Sequence, residues 1–242
     1  MRSGPLAAWT CAWLAGAVAS DEVLRAVTQD DGPHRVVGLA GVQSEPLSEA
    51  LIAWRRAGGS VRLVLPVPGD VRGLSGPAAF GTAALAAGEA VVGGGIGLVP
   101  QVSDHSPSSA PPSVLWTAFV LEPAPADPVD IREAQHELTT AIRQTAIALS
   151  ATGDVHWMDD VTAEIGAARR AGERLNLPPG FPAPAVGVLA QAERMQAILE
   201  LAARDPLVGA LDLAAVTARA AALRPLAAGV RRARLAGYNA LA

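Results

Sequence analysis

The sequence contains no lysine, and all 19 of its lysine-plus-arginine positions are arginine. This absence excludes a Schiff-base lysine, a pyridoxal-phosphate lysine and the phosphate-binding lysine of a P-loop. Cys11 is the sole cysteine, which excludes an internal disulfide and a cysteine-rich zinc site. One thiol is compatible with a reducing compartment. We therefore predict a cytoplasmic protein, and the sequence points to no cofactor.

Basic charge and aromatic rings are also scarce. The formal net charge is −4, and aromatic residues make up 4% of the chain. A nucleic-acid partner is disfavoured, because such a surface is basic and single-strand recognition uses stacked rings. The sequence has no run of about 20 apolar residues, so no membrane-spanning helix is predicted. Half of the residues are hydrophobic and 17% are charged, which is typical of a folded globular chain.

The first 22 residues allow two interpretations. Arg2, an apolar run and an A-x-A arrangement at 17–19 are typical of a secretory signal. Apolar side chains also recur at helical spacing from Leu6 through Trp13, which predicts a helix retained in the fold. Two tryptophans are uncommon in a cleaved signal, so we predict the retained helix. Cleavage before Ser20 is the alternative.

The first half of the sequence alternates between strand-like and helix-like segments. Apolar, β-branched runs predict strands at 34–40, 61–66, 90–100 (as two strands) and 113–123. Helical spacing is found between them, at 46–58 and 77–89. The second half shows helical patterns only, at about 129–149, 159–175, 186–204 and from 212 onward.

These patterns predict an α+β protein. Residues 1–122 form a small mixed β-sheet with flanking helices, and residues 123–242 form a helical bundle that packs with it as one unit. A helix separates the strands at 34–39 and 61–66, so we expect these two strands to be parallel. The strand at 61–66 is almost continuously apolar, as a covered central strand would be.

The loop PVPGDVRGLSGP, residues 66–77, is the first candidate site. Ligands of open α/β sheets bind beyond the carboxyl ends of the strands, and helix N-termini bind anions. Arg72 would bind an anionic ligand, and Asp70 would orient Arg72 or hold a ligand hydroxyl. The alternative is structural, with glycines in turns, Ser75 as a helix cap and an Asp70–Arg72 pair. The predicted ligand-binding residues are Gly69, Asp70, Arg72, Gly73 and Ser75.

Other patterns indicate structure more than chemistry, and we predict neither catalytic residues nor a metal site. The glycines at 93–97 lack the rest of the dinucleotide fingerprint and predict a hairpin or a bulge. Residues 133–137 contain one Glu-x-x-His, a di-iron spacing that needs a second copy, so we predict a solvated helix face. Residues 154–160 hold three aspartates and a histidine, which allow a metal or acid–base site but also a helix cap. The histidine within 104–106 has no nucleophile elbow, and we interpret His34 as structural.

The C-terminal segment is rich in arginine. After Pro206 it contains one acidic residue, Asp212. A basic helix face can dock an acidic partner or a nucleic-acid backbone, or it can be merely solvated. The candidate partner-binding residues are Arg224, Arg231, Arg232 and Arg234.

Several segments are similar to a family of uncharacterised proteins from high-GC actinobacteria, namely AWLAG, PHRVVGL, LVLPVPGDVRGLSGP, GEAVV, GLVP and LRPLAAGVRRA. The resemblance covers nearly the whole chain, and its most recognisable element is the Pro-Val-Pro-Gly-Asp loop at 66–70. The family has no known activity, cofactor or catalytic residue, so the resemblance implies none.

Two functional hypotheses follow. No set of nucleophile, base and stabilising group can be assembled from the sequence, which favours a non-enzymatic interaction or adaptor protein. Such a protein would hold a protein partner through its helical half. The alternative is a small-molecule binding protein or enzyme, with an anionic ligand at the loop 66–77.

Overall fold

The computed structural model describes residues 1–29, 31–39, 43–103, 111–122, 128–151, 172–204 and 213–242. The chain divides into two compact units. The N-terminal unit consists of Met1–Pro128, Asn176–Phe181 and Tyr238–Ala242. The helical unit consists of Val129–Leu175 and Pro182–Gly237.

The N-terminal unit is built on a six-stranded mixed sheet. Its strands are β1 (His34–Val37), β2 (Glu45–Pro46), β3 (Val61–Val64), β4 (Ala90–Gly93), β5 (Ile96–Ser103) and β6 (Ser113–Val120). Their order across the sheet is β2-β1-β6-β5-β4-β3. β1 and β6 are parallel, with Val37 opposite Thr117, and the other neighbouring strands are antiparallel. The predicted α+β class, with a mixed sheet in the first half and helices in the second, is confirmed.

Four helices are found among the described residues of this unit. They are α1 (Ser3–Leu14), α2 (Ser20–Thr28), α3 (Leu47–Ala57) and α4 (Ala78–Ala87). The helix predicted from the N-terminal apolar run is therefore present as α1, and most of its side chains are buried. The predicted glycine hairpin is also present, since β4 and β5 are joined by Gly94 and Gly95, both with positive φ.

The expected parallel arrangement of the strands at 34–39 and 61–66 is wrong. β3 is an edge strand that pairs only with β4, and three antiparallel steps from β6 give it the opposite direction to β1. The prediction did not include β2, a two-residue strand that reverses the direction of the chain before α3 begins. A two-residue strand that contains a proline has no apolar alternation from which it could be predicted.

The sequence of β3 resembles that of a central strand, because other segments of the chain cover its open edge. Leu63 is 1% exposed, although it lies on the edge of the sheet. The Asn239 side chain accepts a hydrogen bond from Leu63 N (2.7 Å) and donates one to Leu63 O (3.0 Å). The Cys11 thiol donates to Val61 O at 2.9 Å. These contacts satisfy edge groups that would otherwise pair with another chain.

The two faces of the sheet carry separate helical layers. Side chains alternate between the faces along each strand. One face packs on α4 through a cluster of buried residues, namely Val64, Phe80, Ala84, Ala90, Val92, Val99 and Leu121. The alternate positions point to the opposite face, where α1 contacts β3 and β4, and α3 contacts β1. Trp54 of α3 and Trp116 of β6 are the largest fully buried side chains.

The helical unit contains α5 (Ile131–Ala151), α6 (Ala183–Arg204) and α7 (Leu213–Tyr238). Its core consists of Leu138, Val188, Ala192, Leu226, Val230 and Ala233. The helix predicted at 159–175 falls largely outside the described residues. Among the described helices of the whole chain, none is both long and apolar enough to cross a membrane.

Candidate functional site

The predicted loop at 66–77 folds as two consecutive tight turns. Val67 and Asp70 exchange backbone hydrogen bonds of 3.0 and 2.9 Å, and Gly69 occupies the position of positive φ between them. A second turn is closed by Leu74 N donating to Val71 O at 3.1 Å. Gly73 lies within this second turn at φ +82°, where a Cβ would lie 2.9 Å from Val64 Cγ1. The glycines of the loop thus serve turn geometry and close packing.

The charged side chains of this loop bind each other. Arg72 Nε lies 2.9 Å from Asp70 Oδ1, and Arg72 Nη2 lies 2.8 Å from Asp70 Oδ2. Ser75 does not cap α4, which begins after Pro77 without a side-chain cap. The loop was predicted to bind a ligand because it was expected to follow the carboxyl end of a parallel strand. That expectation fails because β3 is antiparallel to its neighbour, β4. Ligand binding by these residues stays a prediction.

The C-terminal arginines do not share one helix face. Arg232 of α7 lies 3.1 Å from the Glu133 carboxylate and 2.7 Å from that of Glu137, both on α5. Arg234 forms a two-point ion pair with Glu193 of α6. These arginines join α7 to its two neighbours within the helical unit, and partner binding by them stays a prediction.

Two of the predicted partner-binding arginines are placed differently, and two predicted clusters are not described. Arg224 is exposed and Arg231 is half-buried.

The predicted solvated face at 133–137 is partly engaged by Arg232, while His136 is exposed. The clusters at 104–106 and 154–160 lie outside the described residues. Within the described ranges, no group of three or more metal-ligating side chains is placed to hold an ion.

His34 belongs to a buried polar network. The Asp31 carboxylate accepts hydrogen bonds from Arg2 Nε (3.1 Å) and Nη2 (2.9 Å), and lies 3.1 Å from His34 Nε2. Trp116 Nε1 donates to His34 Nδ1 at 3.3 Å. Because Trp116 can only donate, His34 Nδ1 accepts and the ring proton is assigned to Nε2. Both ring nitrogens are thus engaged, which agrees with a structural histidine.

Burial controls the ionisation of this network. Burial lowers the pKa of His34, and the nearby Asp31 opposes that change only in part. Burial would raise the pKa of Asp31, but the hydrogen bonds from Arg2 and His34 outweigh it and lower the pKa. Burial also raises the pKa of the Cys11 thiol. The raised pKa keeps Cys11 as a neutral thiol, which is a poor nucleophile.

A pocket of about 160 Å³ lies at the carboxyl ends of β1 and β6. Gly38 and Leu39, which directly follow β1, line one side. Ala118, Phe119 and Val120, the last residues of β6, line the other. This is the only parallel pair in the described sheet, and the carboxyl ends of parallel strands are where α/β proteins bind ligands.

Three charged side chains complete the pocket. Glu45 comes from β2, and Glu49 and Arg56 come from α3 together with Ala53. Positions 49, 53 and 56 are four and three residues apart, which places them on one helix face. Within the described residues, none of the three charged side chains has a hydrogen bond or an ion pair. They differ in this from Asp70, Arg72, Arg232 and Arg234, which are all paired.

Gly38 allows the two strand ends to approach closely at this pocket. Its φ is +89°, which disfavours any residue with a side chain. A Cβ at this position would lie 2.9 Å from Ala118 O. The pocket wall therefore depends on a glycine directly after β1.

Comparison with known proteins assigns the chain to a family. The protein-family model described as Rv1486c-like protein, N-terminal domain, matches residues 3–131. The family model for the C-terminal domain matches residues 132–235. The chain belongs to the Rv1486c-like family. It is 33% identical to the uncharacterized protein Rv1486c of Mycobacterium tuberculosis, over 98% of this chain and 95% of that protein. It is 30% identical to the uncharacterized protein ML1804 of Mycobacterium leprae, over the same shares. No solved structure matches the chain.

The resemblance to uncharacterised actinobacterial proteins is therefore confirmed as membership of the Rv1486c-like family. That the Pro-Val-Pro-Gly-Asp loop marks this family stays a prediction. The pocket of this family member was missed because its walls come from positions 38, 45–56, 96 and 118–120. The one local signal was a glycine immediately after a strand, and glycine there also fits an ordinary turn.

Proposed function

We propose that this Rv1486c-like protein binds a small molecule in the pocket at the carboxyl ends of β1 and β6. The observation that carries the proposal is the set of three charged side chains, Glu45, Glu49 and Arg56, which line the pocket without partners among the described residues. Glu49 and Arg56 are exposed and Glu45 is half-buried, so all three are accessible to a ligand. Unpaired charges around a concave surface are available to a ligand.

The size of the pocket limits the ligand. A volume of about 160 Å³ lies below the roughly 300–1,000 Å³ of pockets that hold drug-sized ligands. We therefore propose a small organic ligand, far smaller than a dinucleotide. We propose binding rather than catalysis, since His34 and Cys11 are engaged elsewhere and do not line the pocket.

The test is a fragment screen observed by ¹H–¹⁵N correlation NMR on the full chain. We expect ligands that shift the backbone amide signals of Gly38, Ala53 and Ala118. Replacement of Glu49 by Gln together with Arg56 by Gln should weaken these ligands at least tenfold. The matched control replaces Asp21 by Asn and Arg25 by Gln, an exposed pair on α2 outside the pocket, and should leave binding unchanged. If every fragment that binds shifts signals elsewhere, the proposed site is wrong.

A protein-partner role is the second candidate. Arg224 supports it, because it is exposed on α7 and has no ion pair within the described part of the chain. The ion pairs of Arg232 and Arg234 within the helical unit weaken it. A partner copurified from the native host should be lost with Arg224→Glu and retained with Arg132→Glu, an exposed arginine of α5.

We also propose a cytoplasmic location, which the free, buried Cys11 supports.

A further inference from the structure

We infer that the ligand of this pocket is a small zwitterion with an aliphatic body, of the size and chemistry of an aliphatic amino acid. The inference rests on the proposed function and adds the chemical class of the ligand. It is carried by the signs of the charges that line the pocket, by their separation along α3, and by the apolar surface between them.

The charges of the pocket favour a ligand that carries both signs. Glu45 and Glu49 supply two carboxylates from two different elements, β2 and α3. An ammonium group has three donors and can bind both carboxylates at once. A purely anionic ligand would be repelled by these two groups, and a purely cationic ligand would leave Arg56 unpaired. A zwitterion satisfies all three side chains.

The positions of the charges along α3 separate the two ends of the ligand. Glu49 and Arg56 are seven residues apart, which is a rise of about 10 Å along a helix at 1.5 Å per residue. Residues three or four apart on a helix commonly form an ion pair, whereas Glu49 and Arg56 form none within the described residues. The guanidinium of Arg56 can instead bind a carboxylate through two parallel hydrogen bonds. A ligand with an amine toward Glu49 and a carboxylate toward Arg56 bridges this gap.

An apolar surface lies among these charges. Ile96, Ala118 and Val120 line the pocket, and Val120 is 80% exposed. So large an exposed fraction leaves most of an aliphatic side chain in water. An aliphatic ligand body would remove this surface from water. The volume of about 160 Å³ accommodates a branched chain of a few carbons.

The test compares three probes that share one aliphatic body. L-leucine carries both charges, 3-methylbutylamine carries only the amine, and 4-methylpentanoate carries only the carboxylate. Dissociation constants are measured by NMR titration on the full chain from the amide shifts of Gly38, Ala53 and Ala118. We expect L-leucine to bind at least tenfold more tightly than either analogue.

Pocket variants assign each charge. The double replacement of Glu45 and Glu49 by Gln should remove the advantage of L-leucine over 4-methylpentanoate. Arg56→Gln should remove its advantage over 3-methylbutylamine. These charges are unpaired, so both variants should keep the dispersed spectrum of a folded chain, and Arg25→Gln should behave as the unaltered protein.

The outcomes separate the two proposals. If either single-charge analogue binds as tightly as L-leucine, the zwitterion is wrong. If fragments bind the pocket while none of the three probes does, the ligand class is wrong and the proposed function stands. If neither fragments nor probes shift the pocket signals, both are wrong.

Discussion

Asn239 replaces the missing neighbour of edge strand β3, and Asn239→Ala tests that role directly. Its amide group forms two hydrogen bonds to the backbone of Leu63, at 2.7 and 3.0 Å. This is the same exchange that a paired strand would make. Leu63 is 1% exposed, so water does not readily replace the lost partner.

The expected magnitude follows from these two bonds. A hydrogen bond stabilises a protein by about 1 kcal/mol, and a buried group left unpaired costs about 1–3 kcal/mol. Two such groups are affected, so we expect Asn239→Ala to lower the free energy of unfolding by about 2–6 kcal/mol. The unpaired edge should also promote self-association through β3.

Two measurements check this prediction. Urea unfolding gives the loss of stability, and hydrogen exchange of the Leu63 amide gives the local effect. Gln144→Ala, which truncates an exposed amide side chain on α5, is the control and should change neither. A loss of stability below about 0.5 kcal/mol with unchanged Leu63 exchange would refute the role of Asn239, because one net hydrogen bond already exceeds that value.

Two further predictions concern the polar network and the pocket. The folded-state pKa values of His34 and Asp31 are both lowered, so unfolding takes up protons and stability falls on acidification. The contribution of His34 to stability is lost as pH falls below about 6.5, and that of Asp31 as pH falls below about 3.9. Urea unfolding between pH 7.5 and 5 should show the loss due to His34. His34→Gln should reduce the slope of the free energy of unfolding against pH in this range. An unchanged slope in that variant would exclude His34 as its source. Gly38→Ala should destabilise by about 1–2 kcal/mol for its backbone conformation, with a further loss from the contact at 2.9 Å. Gly59→Ala is its control, since Gly59 has a similar φ of +84° but open space around it, and a loss as large as that of Gly38→Ala would count against a cost of the contact.

Local patterns predicted the elements of the fold but not their arrangement. The runs at 34–40, 90–100 and 113–123 contain strands because β-branched and apolar residues are dense there. Their pairing depends on contacts between distant segments, such as Val37 with Thr117, and no local pattern encodes it. The two-residue β2 was therefore sufficient to reverse the expected direction of β3.

Two of the predicted partner-binding arginines contact neighbouring helices for a geometric reason that was already in the sequence, and partner binding by this segment stays a prediction. Residues two apart on a helix point in nearly opposite directions, since each residue turns by about 100°. Arg232 and Arg234 accordingly contact different neighbours, α5 and α6. Counting the arginines along the segment predicted one charged surface. Assigning each arginine to a face of the helix instead predicts that different arginines contact different neighbouring helices.

The same geometric argument distinguishes the two candidate ligand sites. Asp70 and Arg72 have the charges of a binding site, but their proximity within one turn lets them neutralise each other. Glu49 and Arg56 have the same pair of charges, but seven residues of helix hold them about 10 Å apart. A ligand at the loop would meet a guanidinium whose charge Asp70 already neutralises in part. The helix pair carries no such neutralisation within the described residues, and this difference in spacing is the reason for proposing the pocket at β1 and β6 rather than the loop.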